Sequence, residues 1–340
     1  MTSYSHKSVI TRSECSVMAE RIEWKRFDNK TIGITGATGM LGSWITSAFL
    51  LAIQEKLLTN VKILGFTQSS NMSNLGDLAV TSGLEIVNTR DLQKFSSVDL
   101  DLLIHAASPA SPHLFKNQTM VVNGNLELLQ TILSSRRFLP DIIFLSTSEV
   151  YGNSSKSPIR EEELGFIDLD TPRSIYPRVK LQTEAFIQDV SNAFGISFNI
   201  FRVFHTFGPG LRHDDVRSFS AFLWSISRGQ APRLHTAGAQ VRSFLYALDF
   251  VLAVLNYPLS NSIVNVGSPN PVSIRQFAEL VCSSGGLVEG PIFEKKRDLF
   301  VSSPNDFLVP NLEKLYRNGW SPTVDLESAI TRTLHWMKSQ

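Results

Sequence analysis

From Lys30 to about residue 206, short β-branched runs alternate with longer stretches whose apolar residues recur at helical spacing. The runs Thr31–Thr35, Val61–Phe66, Leu84–Val87, Leu102–His105, Ile142–Ser146 and Ser197–Arg202 read as strands of a parallel sheet. Such strands are apolar throughout because helices cover both faces. Two of the intervening helices show an apolar face, Leu126, Leu128, Leu129, Ile132 and Leu133 in one and Leu181, Ala185, Phe186 and Val190 in the other. The longest apolar run, Met40 to Ile53, carries Gly42, Ser43, Thr46 and Ser47, too short and too polar to span a bilayer, and predicts a buried helix. After Phe207-Gly208-Pro209-Gly210 the regularity weakens into shorter helices and isolated strands such as Ser262–Val266. Three regions follow: an extension over 1–29, a sheet domain over 30–206, and a smaller domain over 207–340 partly interleaved with it. Residues 1 to about 20 are Ser/Thr-rich without a sustained period and are expected to be loosely ordered or to cover a neighbouring surface.

Composition narrows the function classes. The 340 residues are 43% hydrophobic and 19% charged, a globular balance, and Lys+Arg 32 against Asp+Glu 31 leaves a net charge of +1. No whole-chain field draws it to nucleic acid or an anionic membrane. The N-terminus breaks each apolar stretch with a charge or hydroxyl and so lacks a signal-peptide core. Cys15 and Cys282 form no framework, which favours a reducing, cytoplasmic setting. Lys295-Lys296-Arg297 reads as a solvated loop.

The first strand runs directly into Gly36-Ala37-Thr38-Gly39-Met40-Leu41-Gly42 and then a helix, the order that a pyrophosphate site requires. Gly36 permits the tight turn, Gly39 lets the backbone approach the phosphates, and Gly42 lets the helix lie close to the strand. This GxxGxxG spacing, with the motifs below, resembles the extended short-chain dehydrogenase/reductase family over about residues 30 to 335. The resemblance implies an α/β fold, a Rossmann-type doubly wound parallel sheet with a smaller C-terminal substrate-binding domain. It also implies that Asp91 and Leu92 hold the adenine and that Ala106, Ala107 and Ser108 line the dinucleotide. The Asp that selects NAD at the end of the second strand is missing from Ile63-Leu64-Gly65-Phe66-Thr67-Gln68-Ser69-Ser70, and no Arg follows to bind a 2′-phosphate. NAD is the expected cofactor, with NADP left open.

Catalytic chemistry centres on two segments. The fifth strand leads into Thr147-Ser148-Glu149-Val150-Tyr151-Gly152, and Tyr176-Pro177-Arg178-Val179-Lys180 follows some thirty residues later. Tyr176 and Lys180, four apart, stand on one helix face, so the ammonium is expected to lower the phenol from about 10 toward neutrality. A tyrosinate so formed can take the proton of a sugar hydroxyl while hydride leaves the same carbon, with Thr147 or Ser148 holding that hydroxyl. Neither HExxH nor HxxxH occurs among the seven histidines, and no GxSxG elbow surrounds Ser146–Ser148, so metal and serine-hydrolase chemistry are not expected.

Glu149 separates the possible reactions. His105-Ala106-Ala107-Ser108-Pro109-Ala110-Ser111-Pro112, Ser146 through Gly152, Phe207-Gly208-Pro209 and Gln240-Val241-Arg242-Ser243-Phe244 are most similar to the branch of the family that decarboxylates UDP-glucuronate. In that branch NAD oxidises C4 of the sugar, carbon dioxide leaves from the resulting β-keto acid, and hydride returns. The resemblance makes Glu149 a base or a carboxyl-site residue and places Ser108, His205, Arg217 and Arg242 at the substrate, the two arginines as diphosphate clamps. Departures are His205 and Ala221 where the family has Asn, and no arginine before a Pro-Asp pair in Phe307-Leu308-Val309-Pro310-Asn311. The substrate class implied is a nucleoside-diphosphate sugar, with dimerisation through a four-helix interface. Decarboxylation, 4,6-dehydration or epimerisation, NADP-dependent reduction of a 4-keto sugar, and a dinucleotide-binding regulator without catalysis all remain open at this point.

Overall fold

The computed structural model describes residues 8–69, 71–95, 98–109, 111–154, 156–294 and 305–340. Ser70, Ala110 and the Lys295-Lys296-Arg297 cluster lie outside the described residues. Seven parallel strands form the central sheet: β1 (Thr31–Thr35), β2 (Lys62–Thr67), β3 (Leu84–Asn88), β4 (Leu102–His105), β5 (Asp141–Thr147), β6 (Phe198–Val203) and the strand Ser262–Val266. Their spatial order is Ser262–Val266, β6, β5, β4, β1, β2, β3. The chain winds outward from β1 through β2 to β3, then returns to place β4 on the other side of β1. That reversal opens a crevice above the carboxyl ends of β1 and β4, where α/β sheets bind ligands.

The helices explain how the crevice is furnished. α1 (Arg12–Arg21) precedes the sheet, and α2 (Met40–Gln54) follows β1, buried along eleven residues from Gly42 to Ala52 as its apolar run predicts. α3 (Gln118–Val122) passes through a π-helical turn at Asn123–Glu127 into α4 (Leu128–Ser134), and α5 (Ile175–Phe194) carries Tyr176 and Lys180. The later part of the chain adds α6 (Ser218–Ser227), α7 (Ala247–Asn256) and a second sheet. In that sheet Val241–Tyr246 pairs with His205–Phe207, Pro271–Ser273 and Phe307–Leu308. Among the described residues no helix is long and apolar enough to cross a membrane.

Two expectations need correction, and a third is decided between its alternatives. Ser262–Val266 is not isolated: it pairs in parallel with β6 from Ser262↔Asn199 to Val266↔Val203, because α7 supplies the crossover and Val264 and Val266 fill the core. Of the expected stripe on α5, Val190 is buried and Phe186 packs at the margin of the sheet's core, but Ala185 is exposed; the inner face also buries Val179, Lys180, Thr183, Glu184 and Ile187. Polar residues can occupy that inner face because each finds a partner there. The segment from Ser8 to Arg21 covers a neighbouring surface and contains α1. Thr11 and Glu14 form a capping box, and Glu14, fully buried, also accepts from the Tyr246 hydroxyl and lies 3.5 Å from Arg332. No apolar period marks α1 because its inward positions are Glu14 and Met18, a carboxylate and a thioether.

Candidate active site

The glycine loop is built by contact, not by flexibility alone. Gly36 has φ +66°, and a Cβ there would lie 2.8 Å from Ala107 Cα. At Gly42 a Cβ would meet Gly36 O at 2.0 Å, so the first turn of α2 rests on the loop. Gly39 is exposed and caps α2 with no side chain, leaving the helix N-terminus open to an anion. Met40 and Leu41 form the half-buried first turn. Thr38 bonds Thr67 side chain to side chain at 3.0 Å, and its carbonyl accepts from Asn74 Nδ2 at 3.1 Å, closing the loop beside the end of β2. Asp91 and Leu92 stand in the 3-10 stretch Thr89–Phe95 just past β3, at the far end of the same crevice. These features fit a dinucleotide: a helix N-terminus that no side chain caps, beside the Thr38–Thr67 pair. Gly42→Ala is expected to cost about 1–3 kcal/mol through overpacking against main chain and to weaken NAD affinity. Calorimetric titration with NAD checks this, and unchanged affinity would remove the loop from the pyrophosphate site.

Ala106, Ala107 and Ser108 leave β4 under tight control. His105 Nε2–H donates to Asn125 O at 2.9 Å, which makes Nδ1 the acceptor of the Thr35 hydroxyl at 2.7 Å. Thr35 Oγ1 in turn accepts from Ala107 N–H at 3.0 Å. Burial, and after it the Lys180 charge, holds His105 down to about 3, so the imidazole stays neutral and the relay keeps one direction. The π-helical turn is thus bonded to the loop that presents Ser108, whose Oγ is buried with no hydrogen-bond partner of normal geometry.

Tyr176 sits in the first turn of α5 beside Pro177, buried and stacked on Phe115 at 4.8 Å. Its phenol is pushed up to about 12, by burial first and then by the Glu149 charge, while Ser108, Arg217 and Thr147 pull it back. Lys180 Nζ donates to Leu145 O at 2.6 Å and lies 4.6 Å above the Phe144 ring and 5.9 Å from the Tyr176 ring centre. Burial brings its pKa down to about 7 against the raising effect of Glu184. The expectation that Lys180 alone draws the phenol toward neutrality is therefore corrected. Both groups are desolvated, and the ammonium is directed at a carbonyl.

Thr147 ends β5 and accepts from Glu149 N–H at 3.2 Å; Ser148 starts the 3-10 turn that carries Glu149. Glu149 is not free. Arg173, three residues before Tyr176, grips both carboxylate oxygens, Nε to Oε2 at 3.1 Å and Nη2 to Oε1 at 2.8 Å. On the opposite wall His205 lies between Phe244 at 5.5 Å and Phe219 at 5.8 Å, with Nδ1 buried and unpartnered. Burial and the charges of Arg242, Arg217 and Arg173 hold its pKa well below the usual value. Arg217 is forked onto Asp215, which also accepts from Ser111 Oγ, and burial is more than offset by that carboxylate, which raises the guanidinium. Arg242, buried, donates to the carbonyls of Val241, Asn305 and Asp306 and is lowered to about 10, mainly by desolvation.

The structure thus brings Ser108, Thr147, Glu149, Tyr176 and Lys180 together at the carboxyl ends of β4 and β5, near His205, Arg217 and Arg242. Neither arginine is a free clamp, because each already has acceptors. Sequence reasoning sets Arg173 aside, because only Lys180 has the required offset from Tyr176, and misses Asp215 and the Thr35–His105–Asn125 relay. Arg173 was accessible from its i,i+3 offset to Tyr176; the others meet only through the fold.

A doubly wound sheet with a glycine loop at its switch point, and a buried tyrosine and lysine one helical turn apart above it, defines a nicotinamide-dependent enzyme of the extended short-chain dehydrogenase/reductase type. The comparisons agree. The model of the NAD dependent epimerase/dehydratase family matches residues 32–267, and the chain belongs to that family. It is 28% identical over 325 residues to UDP-glucuronic acid decarboxylase 1 of Xenopus tropicalis, covering 92% of this chain and 73% of that protein. In fold it is similar to the UDP-N-acetylglucosamine 4-epimerase of Methanobrevibacter ruminantium, with TM-score 0.78, 21% identity, and 92% and 99% of the two chains covered. A UDP-glucuronic acid 4-epimerase of Bacillus cereus, in complex with UDP-glucuronic acid and NAD, superposes with TM-score 0.75 at 20% identity over 91% and 99%.

Proposed function

We propose that the chain acts on a nucleoside-diphosphate sugar through a 4-keto intermediate and that its reaction is decarboxylation of a UDP-uronate. The observation that carries this reading is the cleft beside Tyr176. It gathers the guanidiniums of Arg173, Arg217 and Arg242, held by Glu149, Asp215 and main-chain carbonyls, and guanidiniums suit the anionic groups of a nucleotide sugar. Similarity to UDP-glucuronic acid decarboxylases along 92% of the chain supports it. The Gly36–Gly42 loop would hold NAD, which would supply a reversible hydride acceptor beside the sugar C4. Tyr176 takes the C4 hydroxyl proton, and Ser108 and Thr147 hold that hydroxyl. Lys180 keeps the base side of the pocket cationic, and Glu149 stands near the carbon that loses its carboxylate. His205 offers a neutral Nδ1 acceptor where the family has an amide.

Mass spectrometry of products formed from UDP-glucuronate, UDP-glucose and dTDP-glucose, each with NAD and then NADPH, tests the proposal. Loss of carbon dioxide from UDP-glucuronate is expected, without stoichiometric consumption of cofactor. Loss of water from a hexose, or turnover only with NADPH and a keto sugar, would replace it. We infer further that two chains pair through the outer face of α5, where Leu181 and Phe186 stay half-buried and Ala185 is exposed. Cys15 and Cys282 are not joined in a disulfide, which fits a reducing cytoplasm.

A further inference from the structure

Two arginine–carboxylate forks lie within one helix length of each other, and their settings differ. Glu184 and Arg202 are both 3% exposed and sealed behind β5 and β6, with Ser146 and the Glu161 carbonyl completing the cluster. Glu149 and Arg173 have the same forked geometry but are 24% and 25% exposed, and they face the cleft. Arg173 belongs to the one-turn 3-10 helix Pro172–Ser174, and Glu149 to the turn Ser148–Tyr151. The other two guanidiniums at the cleft are committed elsewhere, Arg217 to an Asp215 carboxylate only 6% exposed and Arg242 to three main-chain carbonyls. Arg173 is therefore the guanidinium whose partner is both a side chain and partly accessible, and a partly exposed ion pair is cheaper to exchange than a sealed one.

We propose that Arg173 selects a sugar that carries a carboxylate, by giving up Glu149 and forking onto the substrate. This rests on the nucleotide-sugar reading above and names the residue that makes it specific for an acid. In the free cleft Glu149 is neutralised by Arg173 and its charge bears on Tyr176. A uronate carboxylate matches the geometry that Glu149 occupies, so one bidentate pair replaces another and Glu149 is released beside the reacting carbons. A neutral hexose has nothing to offer the fork and leaves the pair closed. Discrimination thus comes from differential affinity for the open arrangement.

The test is calorimetric binding of UDP-glucuronate and of UDP-glucose to the NAD-loaded protein, in wild type, Arg173→Met and Arg173→Lys. In Arg173→Met, affinity for UDP-glucuronate is expected to fall at least roughly tenfold while that for UDP-glucose changes less than about twofold. Arg173→Lys, which keeps the charge but not the fork, is expected to fall between the two and serves if the methionine variant does not fold. Equal weakening for both sugars would make Arg173 a structural residue and overturn the proposal, as would unchanged affinity for UDP-glucuronate. Wild-type protein that binds NAD but neither UDP-sugar would instead overturn the nucleotide-sugar reading itself.

Discussion

Tyr176→Phe is expected to lower turnover by about 10²–10⁴-fold, the usual worth of a positioned general base, while NAD binding and thermal stability stay near wild type. The separation follows from what the phenol does in the fold. Its ring stacks on Phe115 at 4.8 Å and fills a buried site, and phenylalanine preserves both. Only the hydroxyl is lost, and that hydroxyl faces Ser108 and Thr147 at the point where a sugar hydroxyl must lose its proton. Burial and the Glu149 charge hold the phenol up to about 12, and burial brings the ammonium down to about 7. Burial opposes both charged forms, so a tyrosinate and an ammonium in this pocket each need an opposite charge nearby. Single-turnover formation of product from UDP-glucuronate, with NAD affinity measured on the same preparation, checks the prediction. Unimpaired turnover would remove Tyr176 from proton transfer.

The elements legible in the sequence are those whose cause is local. Gly36 and Gly42 announce themselves because a tight turn and a close helix each need the missing Cβ within seven residues. The six strands from β1 to β6 read as apolar runs because helices bury them on both faces. What escaped depends on distant partners. Ser262–Val266 carries the same apolar signal as β6, but its place in the central sheet is set by α7, which brings it back alongside Phe198–Val203. The α5 face was misassigned because its inward side carries Lys180, Thr183 and Glu184, whose partners Leu145, Val179 and Arg202 only folding supplies. Arg217 and Arg242 look alike in sequence, yet one is held by a carboxylate two residues away and the other by the carbonyl of Val241 and two more over sixty residues on. In the active site, sequence indicates which residue types meet, and the partners each has already engaged decide which are free to act.

Arg202→Met is expected to destabilise the protein by about 3–5 kcal/mol, the cost of leaving a buried charge without its partner. Arg202 grips Glu184 through Nε at 3.2 Å and Nη2 at 2.7 Å, and Nη1 donates to Glu161 O at 2.6 Å. The same guanidinium lies 5.0 Å over the Tyr151 ring, whose hydroxyl donates to Asn265 Oδ1 on the strand Ser262–Val266. Removing it strands the Glu184 carboxylate on α5, in a place that water does not reach, one turn beyond Lys180. The loss is expected to appear first in the denaturant midpoint, with little change in its slope. It then appears in the active site, because Glu184 is the charge that opposes the desolvation of Lys180. Adding Glu184→Leu to Arg202→Met removes the orphaned charge and is expected to recover much of the stability, since an apolar replacement of a buried pair is often neutral. Activity should not recover with it, because Lys180 then lacks its neighbouring anion. A single Arg202→Met variant as stable as wild type would show that the cluster is hydrated and that α5 is held by its apolar contacts alone.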